Sequence, residues 1–114
     1  MEIPVERIGD VSVAVVPVEE LDADNALAFT HAIAPTLEAS SKVVFDLSRL
    51  RFLDSSGLGA FLGCQHNLQA RDGALKLCGM SKSVRAIFEL VRMHRVLEIF
   101  ETRDEAIRAF QQPT

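Results

Sequence analysis

A chain of 114 residues can bury one hydrophobic core but not two, so it reads as a single domain spanning 1–114. Its 48% apolar and 25% charged residues are the balance of a soluble globular chain, and seven Phe with neither Trp nor Tyr disfavour the flat-ring platforms that hold sugars or stack bases. A net charge of −4 argues against direct nucleic-acid binding, which calls for clustered Lys and Arg. Arg85, Arg92 and Arg95 form a local basic run, but no aromatic residue is interleaved with it, and a solvated helix face explains it.

Cys64 and Cys78 have no C-x-x-C partner and are expected to be reduced core residues. His31, His66 and His94 are scattered without a recurrent acidic or thiol companion, so no metal site is expected. The start, MEIPVERIGD, has neither the basic flank nor the apolar run of a signal peptide. No apolar stretch approaches the roughly 18 residues of a membrane span. A cytoplasmic location is the expectation.

In chain order, Ile3 to Ile8 and Val11 to Val18 are strand candidates around Gly9-Asp10, whose leading glycine suits a type II′ hairpin. Between Glu19 and Ser40 the period changes. Ala26, Phe29, Ile33 and Leu37 recur at helical spacing, with Asp22 or Asp24 as a cap and Pro35 expected to kink or split the helix. Lys42 to Leu47 reads as a buried strand. Ser56 to Arg71 reads as a helix with Leu58, Phe61, Leu62 and Leu68 on one face and Gln65 among them, ended by Gly73 in a left-handed cap. Ala74 to Cys78 is a strand, Ser81 caps a helix through Val91, and Val96 to Phe100 is a last strand. Thr102-x-x-Glu105 is a capping box before a final helix, and the closing Gln-Gln-Pro-Thr is expected to fray. An opening hairpin followed by alternating strands and helices predicts an α/β fold, a mixed β-sheet with about four helices packed on it.

One stretch stands apart, VVFDLSRLRFLDSSGLGAFLG at 43–63. A buried strand ends, a short loop with Phe52 and Leu53 follows, and Asp54-Ser55-Ser56 opens a helix with Gly57 and Gly59 in its first turn. Each glycine costs about 1 kcal/mol against Ala in a helix interior, and each also lets another surface approach closely. A simple helix cap needs no pair of glycines. A phosphate-cradling loop would want Gly-Lys-Ser or Gly-Lys-Thr and has no Lys here. A nucleophilic serine lacks the G-x-S-x-G setting and a nearby His.

The segment FLDSSGLG, with VVFDLSRL before it and ELD further upstream, resembles the anti-sigma factor antagonists of the STAS domain family, and the resemblance continues through ALKLCGMSKSVRAIFEL to EIFETRDEAI. It implies a STAS-like fold and a binding module that is not an enzyme and carries no cofactor. It also implies that the serine after the acid, Ser55, is phosphorylated by a partner. The docking face implied is Asp22, Asp54, Ser55, Ser56, Gly57, Leu58 and Gly59, with Ser56 as a cap or packing residue and Asp22 and Asp54 as surface or capping groups. The implied partners are an anti-sigma factor with serine-kinase activity and a resetting serine phosphatase, giving regulation of transcription by partner switching. The alternative within the fold is a STAS accessory subunit of a membrane transport ATPase complex for lipid or solute. Two positions depart from the family pattern: Glu19 stands where Gly is usual before E-L-D, and Arg92 where many relatives have Gly, so a differently built turn is expected there.

Overall fold

The computed structural model describes residues 1–111, so the end expected to fray at 112–114 lies outside it, while Gln111 closes the last helix. The elements run β1 (Val5–Ile8), β2 (Val11–Val15), β3 (Glu20–Leu21), α1 (Ala26–Ala39), β4 (Lys42–Asp46), β5 (Phe52–Leu53), α2 (Ser55–Gln69), β6 (Ala74–Cys78), α3 (Lys82–Leu90), β7 (Glu98–Phe100) and α4 (Arg103–Gln111). A 3-10 turn, Met93–Arg95, links α3 to β7.

The hairpin forms as its loop predicts. Ile8 faces Val11 across Gly9-Asp10, and Gly9 alone of the two takes a positive φ, +63°. Beyond it the strands pair in parallel, giving a five-stranded mixed sheet in the order β1-β2-β4-β6-β7. The parallel strands are apolar on both faces because both faces are covered. Ala14, Val43, Phe45, Leu75 and Leu77 meet α1, α2 and α3 on one face. Val11, Val13, Val44 and Cys78 meet Ala106 and Ile107 of α4 on the other. Phe29 of α1, Phe45 of β4 and Phe61 of α2 form a triangle with ring centroids 5.5–5.8 Å apart, and all three are fully buried. Burying each ring stabilises the fold by about 1.5–3 kcal/mol, and together they fix α2 against the sheet. Gln65, the polar residue on that apolar face, is buried and satisfied: its amide donates to the Val96 carbonyl at 3.2 Å and its carbonyl accepts from the Leu75 amide at 3.1 Å. Both cysteines are buried free thiols, and burial pushes each up to about 12, far from a reactive thiolate.

Several expectations need correction. α1 runs unbroken through Pro35, which is exposed, so the lost backbone bond falls on the solvent side. Its N-cap is Asn25, with no side-chain cap bond. Asp22 instead closes the preceding turn, accepting from the Asp24 amide at 3.0 Å. At the end of α2 the left-handed residue is Asp72, φ +60°, and the Gly73 amide then reaches back to the Leu68 carbonyl at 2.7 Å. Gly73 is needed for space: a Cβ there would lie 2.3 Å from the Ser41 carbonyl oxygen. The Ser81 cap and the Thr102–Glu105 capping box both form.

The turn after α3 is not rebuilt to suit Arg92. Arg92 itself adopts the left-handed conformation, φ +61° and ψ +26°. Strain of about 1 kcal/mol follows from its Cβ. Arg92→Gly is therefore expected to raise stability by about 1 kcal/mol, and the melting temperature by about 4 °C. Arg92→Ala, which keeps the Cβ, should give no such gain.

α4 is tied to the sheet by Arg103, which donates to Asp46 at 2.7 Å and to Glu6 at 3.0 Å. Burial pulls the Asp46 carboxyl upward, but the Arg103 guanidinium and the Ser48 amide donate to it and hold it below its ordinary 3.8. A carboxyl lowered in the folded state stabilises the fold above its unfolded value and loses that contribution as pH falls through the folded one. Stability from this pair should therefore be constant above about pH 5 and fall below pH 3.8. Chemical denaturation across that range should show a shallower acid loss for Asp46→Asn.

Candidate functional site

Two short strands absent from the sequence reading build the site. β3 and β5 pair in parallel as a separate two-stranded ladder, Glu20 beside Phe52 and Leu21 beside Leu53. The Arg51 and Phe52 amides both donate to the Glu19 carbonyl, and the Asp54 amide donates to the Leu21 carbonyl at 3.2 Å. Glu19 does this without a positive φ, so the usual glycine is not required by the backbone. Its side chain is exposed and adds negative charge to the surface.

The ladder delivers the chain to α2 with Asp54 as N-cap. One oxygen of its carboxylate accepts from the Ser56 amide at 2.8 Å and the Gly57 amide at 3.1 Å, and the other accepts from the Ala23 amide at 3.3 Å. Asp54 therefore joins two segments 31 residues apart, and Asn25 locks the second by accepting from the Asp22 amide and donating to the Glu20 carbonyl. Asp22 and Asp54, both half-buried, thus sit in one hydrogen-bonded unit beside the helix start. Ala23, Asn25 and the Leu21 carbonyl were not singled out in the sequence. Ala23 and Leu21 act through their backbone groups, which leave no side-chain signal, whereas Asn25 acts through its side-chain amide.

Ser55 is the first residue of α2 and is exposed, whereas Ser56 is half-buried and does not cap the helix, since Asp54 does. The two glycines divide in role. Gly57 is buried, and a Cβ on it would lie 2.5 Å from the Leu21 carbonyl oxygen and 3.0 Å from the Leu53 Cβ. Its missing side chain lets β3 close onto α2, so the near surface it admits belongs to the chain itself. Gly59 is exposed with open space around its missing Cβ, and Leu58 is half-buried against the main core. Ser55, Gly59 and Gly63, at four-residue spacing, fall along one exposed side of α2.

Nothing in the fold requires glycine at 59. Gly59→Ala should raise stability by about 1 kcal/mol through helix propensity alone, read as an upward shift of the denaturation midpoint.

The surface around Ser55 is rich in acid. Glu19, Glu20, Asp22 and Asp24 lie in the segment packed against Asp54, with Arg49 and Arg51 as the nearby bases in sequence. The Ser56 and Gly57 amides, the natural anion donors of the helix start, are already taken by Asp54. A further anion here finds a negative neighbour and no free pair of amides. The arrangement is that of a small α/β domain with one exposed serine at the start of α2 beside an acidic surface.

The model of the STAS domain matches residues 2–106, and the chain belongs to the STAS domain family. Among individual proteins, it is 33% identical over 60 residues to the anti-sigma-B factor antagonist of Listeria monocytogenes, covering 53% of each chain. The chain spans about half the length of the curated relatives it matches. Its fold is similar to that of an anti-sigma factor antagonist from Mycobacterium paratuberculosis, with a TM-score of 0.85, 25% identity, and 96% of this chain and 93% of that one covered. It is also similar to the anti-sigma factor antagonist SpoIIAA in its unphosphorylated form, with a TM-score of 0.72, 24% identity, and 97% and 99% covered. For the phosphorylated form of the Bacillus SpoIIAA the TM-score is 0.68, at 25% identity with 95% and 98% covered.

Proposed function

We propose that this chain is an anti-sigma factor antagonist. Unmodified, it binds an anti-sigma factor that is also a serine kinase. Phosphorylated on Ser55, it releases that partner, and a serine phosphatase restores the first state. The chain acts in the cytoplasm as a binding module and kinase substrate, with no catalysis of its own and no cofactor.

The observation that carries this reading is the exposed Ser55 hydroxyl next to an Asp54 carboxylate that already holds the helix amides. An exposed hydroxyl can be reached by a kinase. A phosphate placed there stays in the contact surface and is not absorbed by the helix. Asp22, Asp54, Ser55, Ser56, Leu58 and Gly59 form the docking face, and Gly57 supports it from beneath. The family membership and the named relatives point the same way.

Calorimetric titration of the unmodified chain with each histidine-kinase-fold anti-sigma factor of its own genome tests this. One of them should bind in a 1:1 complex, and Gly59→Ala should weaken that complex while stabilising the fold. Failure of every anti-sigma factor to bind, with an ATPase subunit of a transport system binding instead, would replace this reading with the accessory-subunit one.

A further inference from the structure

The end of the molecule opposite Ser55 carries features that the fold does not need. The parallel strands put Ser55, which follows β4 and β5, at the end where those strands finish. The 90–96 segment precedes β7 and lies at the end where they begin. There Leu90 is 84% exposed, Val91 48% and Val96 50%. Arg92 is held in a strained left-handed conformation between them, and Arg95 is exposed beside them. Neither arginine is in an ion pair among the described residues. Three bared aliphatics and a strained residue within seven residues cost solubility or stability, and two unpaired cations stand among them, which marks the segment as a contact surface.

The complement to this surface is on the same molecule. At the Ser55 end, Phe52 is 46% exposed and Leu27, in the first turn of α1, is 67% exposed. Around them Glu19, Glu20, Asp22 and Asp24 are likewise outside any ion pair among the described residues. The Leu90–Val96 pole is apolar with Arg92 and Arg95 outnumbering the adjoining Glu89, and the other is apolar with its four acids outnumbering Arg49 and Arg51. They lie at opposite ends and cannot meet within one copy.

We propose that the chain associates head to tail with a second copy, the Leu90–Val96 pole of one seated on the acidic pole of the other. The contact is heterologous, so it pairs two copies and leaves a free pole at each end for further growth. Charge complementarity orients it, the aliphatics supply the buried area, and the net charge of −4 keeps it weak. Because the acidic pole adjoins Ser55, association covers the hydroxyl and competes with the docking partner. That consequence rests on the function proposed above, while the self-association does not.

Sedimentation velocity over a concentration series tests it. The mean mass should rise with concentration at low salt and fall back toward the single copy at about 0.5 M salt, where screening acts within a few ångströms. Arg92→Glu with Arg95→Glu in one variant, and Glu20→Lys with Asp24→Lys in another, should each weaken association at least about tenfold. All four positions are solvent-facing, and circular dichroism should confirm that both variants remain folded. Mixed in equal amounts, the two variants should associate again, since each restores the charge that the other lost. A chain that stays a single copy at every concentration and salt would overturn the proposal. So would association indifferent to both charge reversals, which would point to the exposed β1 edge, or binding of the Leu90–Val96 pole to anionic phosphatidylserine vesicles with no self-association. None of these results bears on whether an anti-sigma factor binds the unmodified chain.

Discussion

Phosphorylation of Ser55 is expected to weaken binding to the anti-sigma factor by a hundredfold or more while moving the melting temperature by no more than about 2 °C. The two parts of that expectation have separate causes. A phosphate adds about −1.5 to −2 charge at neutral pH. At an open helix start the dipole would favour it by roughly 0.3–1 kcal/mol. Here the Asp54 carboxylate already takes the Ser56 and Gly57 amides, and its charge works against the newcomer, so the two effects nearly cancel and the fold barely responds. The partner has no such compensation. To keep its contact it would have to strip water from a near-dianion beside Asp54, and unpaired buried charge costs several kcal/mol. About 2.7 kcal/mol is already a hundredfold in affinity. Ser55→Asp, with a single negative charge, should give a smaller loss in the same direction. Ser55→Ala should bind at full strength and resist release by ATP. Equal affinities for the modified and unmodified forms, measured by calorimetry, would end the switch mechanism.

The second large effect is structural and falls on Gly57. Gly57→Ala is expected to destabilise the fold by about 2 kcal/mol or more, a fall of roughly 8 °C in melting temperature. The added Cβ meets backbone at 2.5 Å, and the Leu21 carbonyl it strikes is the acceptor for the Asp54 amide. The ladder that delivers Ser55 must therefore shift, and partner affinity should fall with stability. Gly59→Ala, two residues on in the same helix, should be more stable than the parent. Opposite signs at 57 and 59 in one thermal-melt experiment would separate the glycine that serves the fold from the one that serves the surface. A Gly57→Ala protein as stable as the parent would show that β3 yields without cost.

The architecture was legible because its strands and helices are long enough to show a period. The β-branched runs at 11–15 and 42–46, the short, largely apolar run at 74–78 and the helical recurrence of Phe29, Ile33 and Leu37 each mark an element that the structure contains. Ser55 stands out through its neighbours in FLDSSGLG, and the structure leaves it exposed. The hidden parts lack side-chain signal. β3 and β5 have two residues each, too few for any alternation, yet their pairing sets where Asp54 stands. Gly57 and Gly59 look alike in the sequence, and only the position of the Leu21 carbonyl tells them apart. Likewise the sequence suggests a left-handed turn at Gly73, but that conformation falls one residue earlier, on Asp72, and the glycine serves the close approach of Ser41. At Asp22 and Asp24 the acids suggest a helix cap, but local bonds to the Asp22 and Asn25 side chains and one long-range bond to Asp54 close that turn.

Two adjacent serines make the most direct measurement possible. Incubating the chain with its cognate anti-sigma factor and ATP, then locating the phosphate by tandem mass spectrometry, should place it on Ser55 with none on the half-buried Ser56. Phosphate on Ser56, or none on either serine in a complex that forms tightly, would contradict the account.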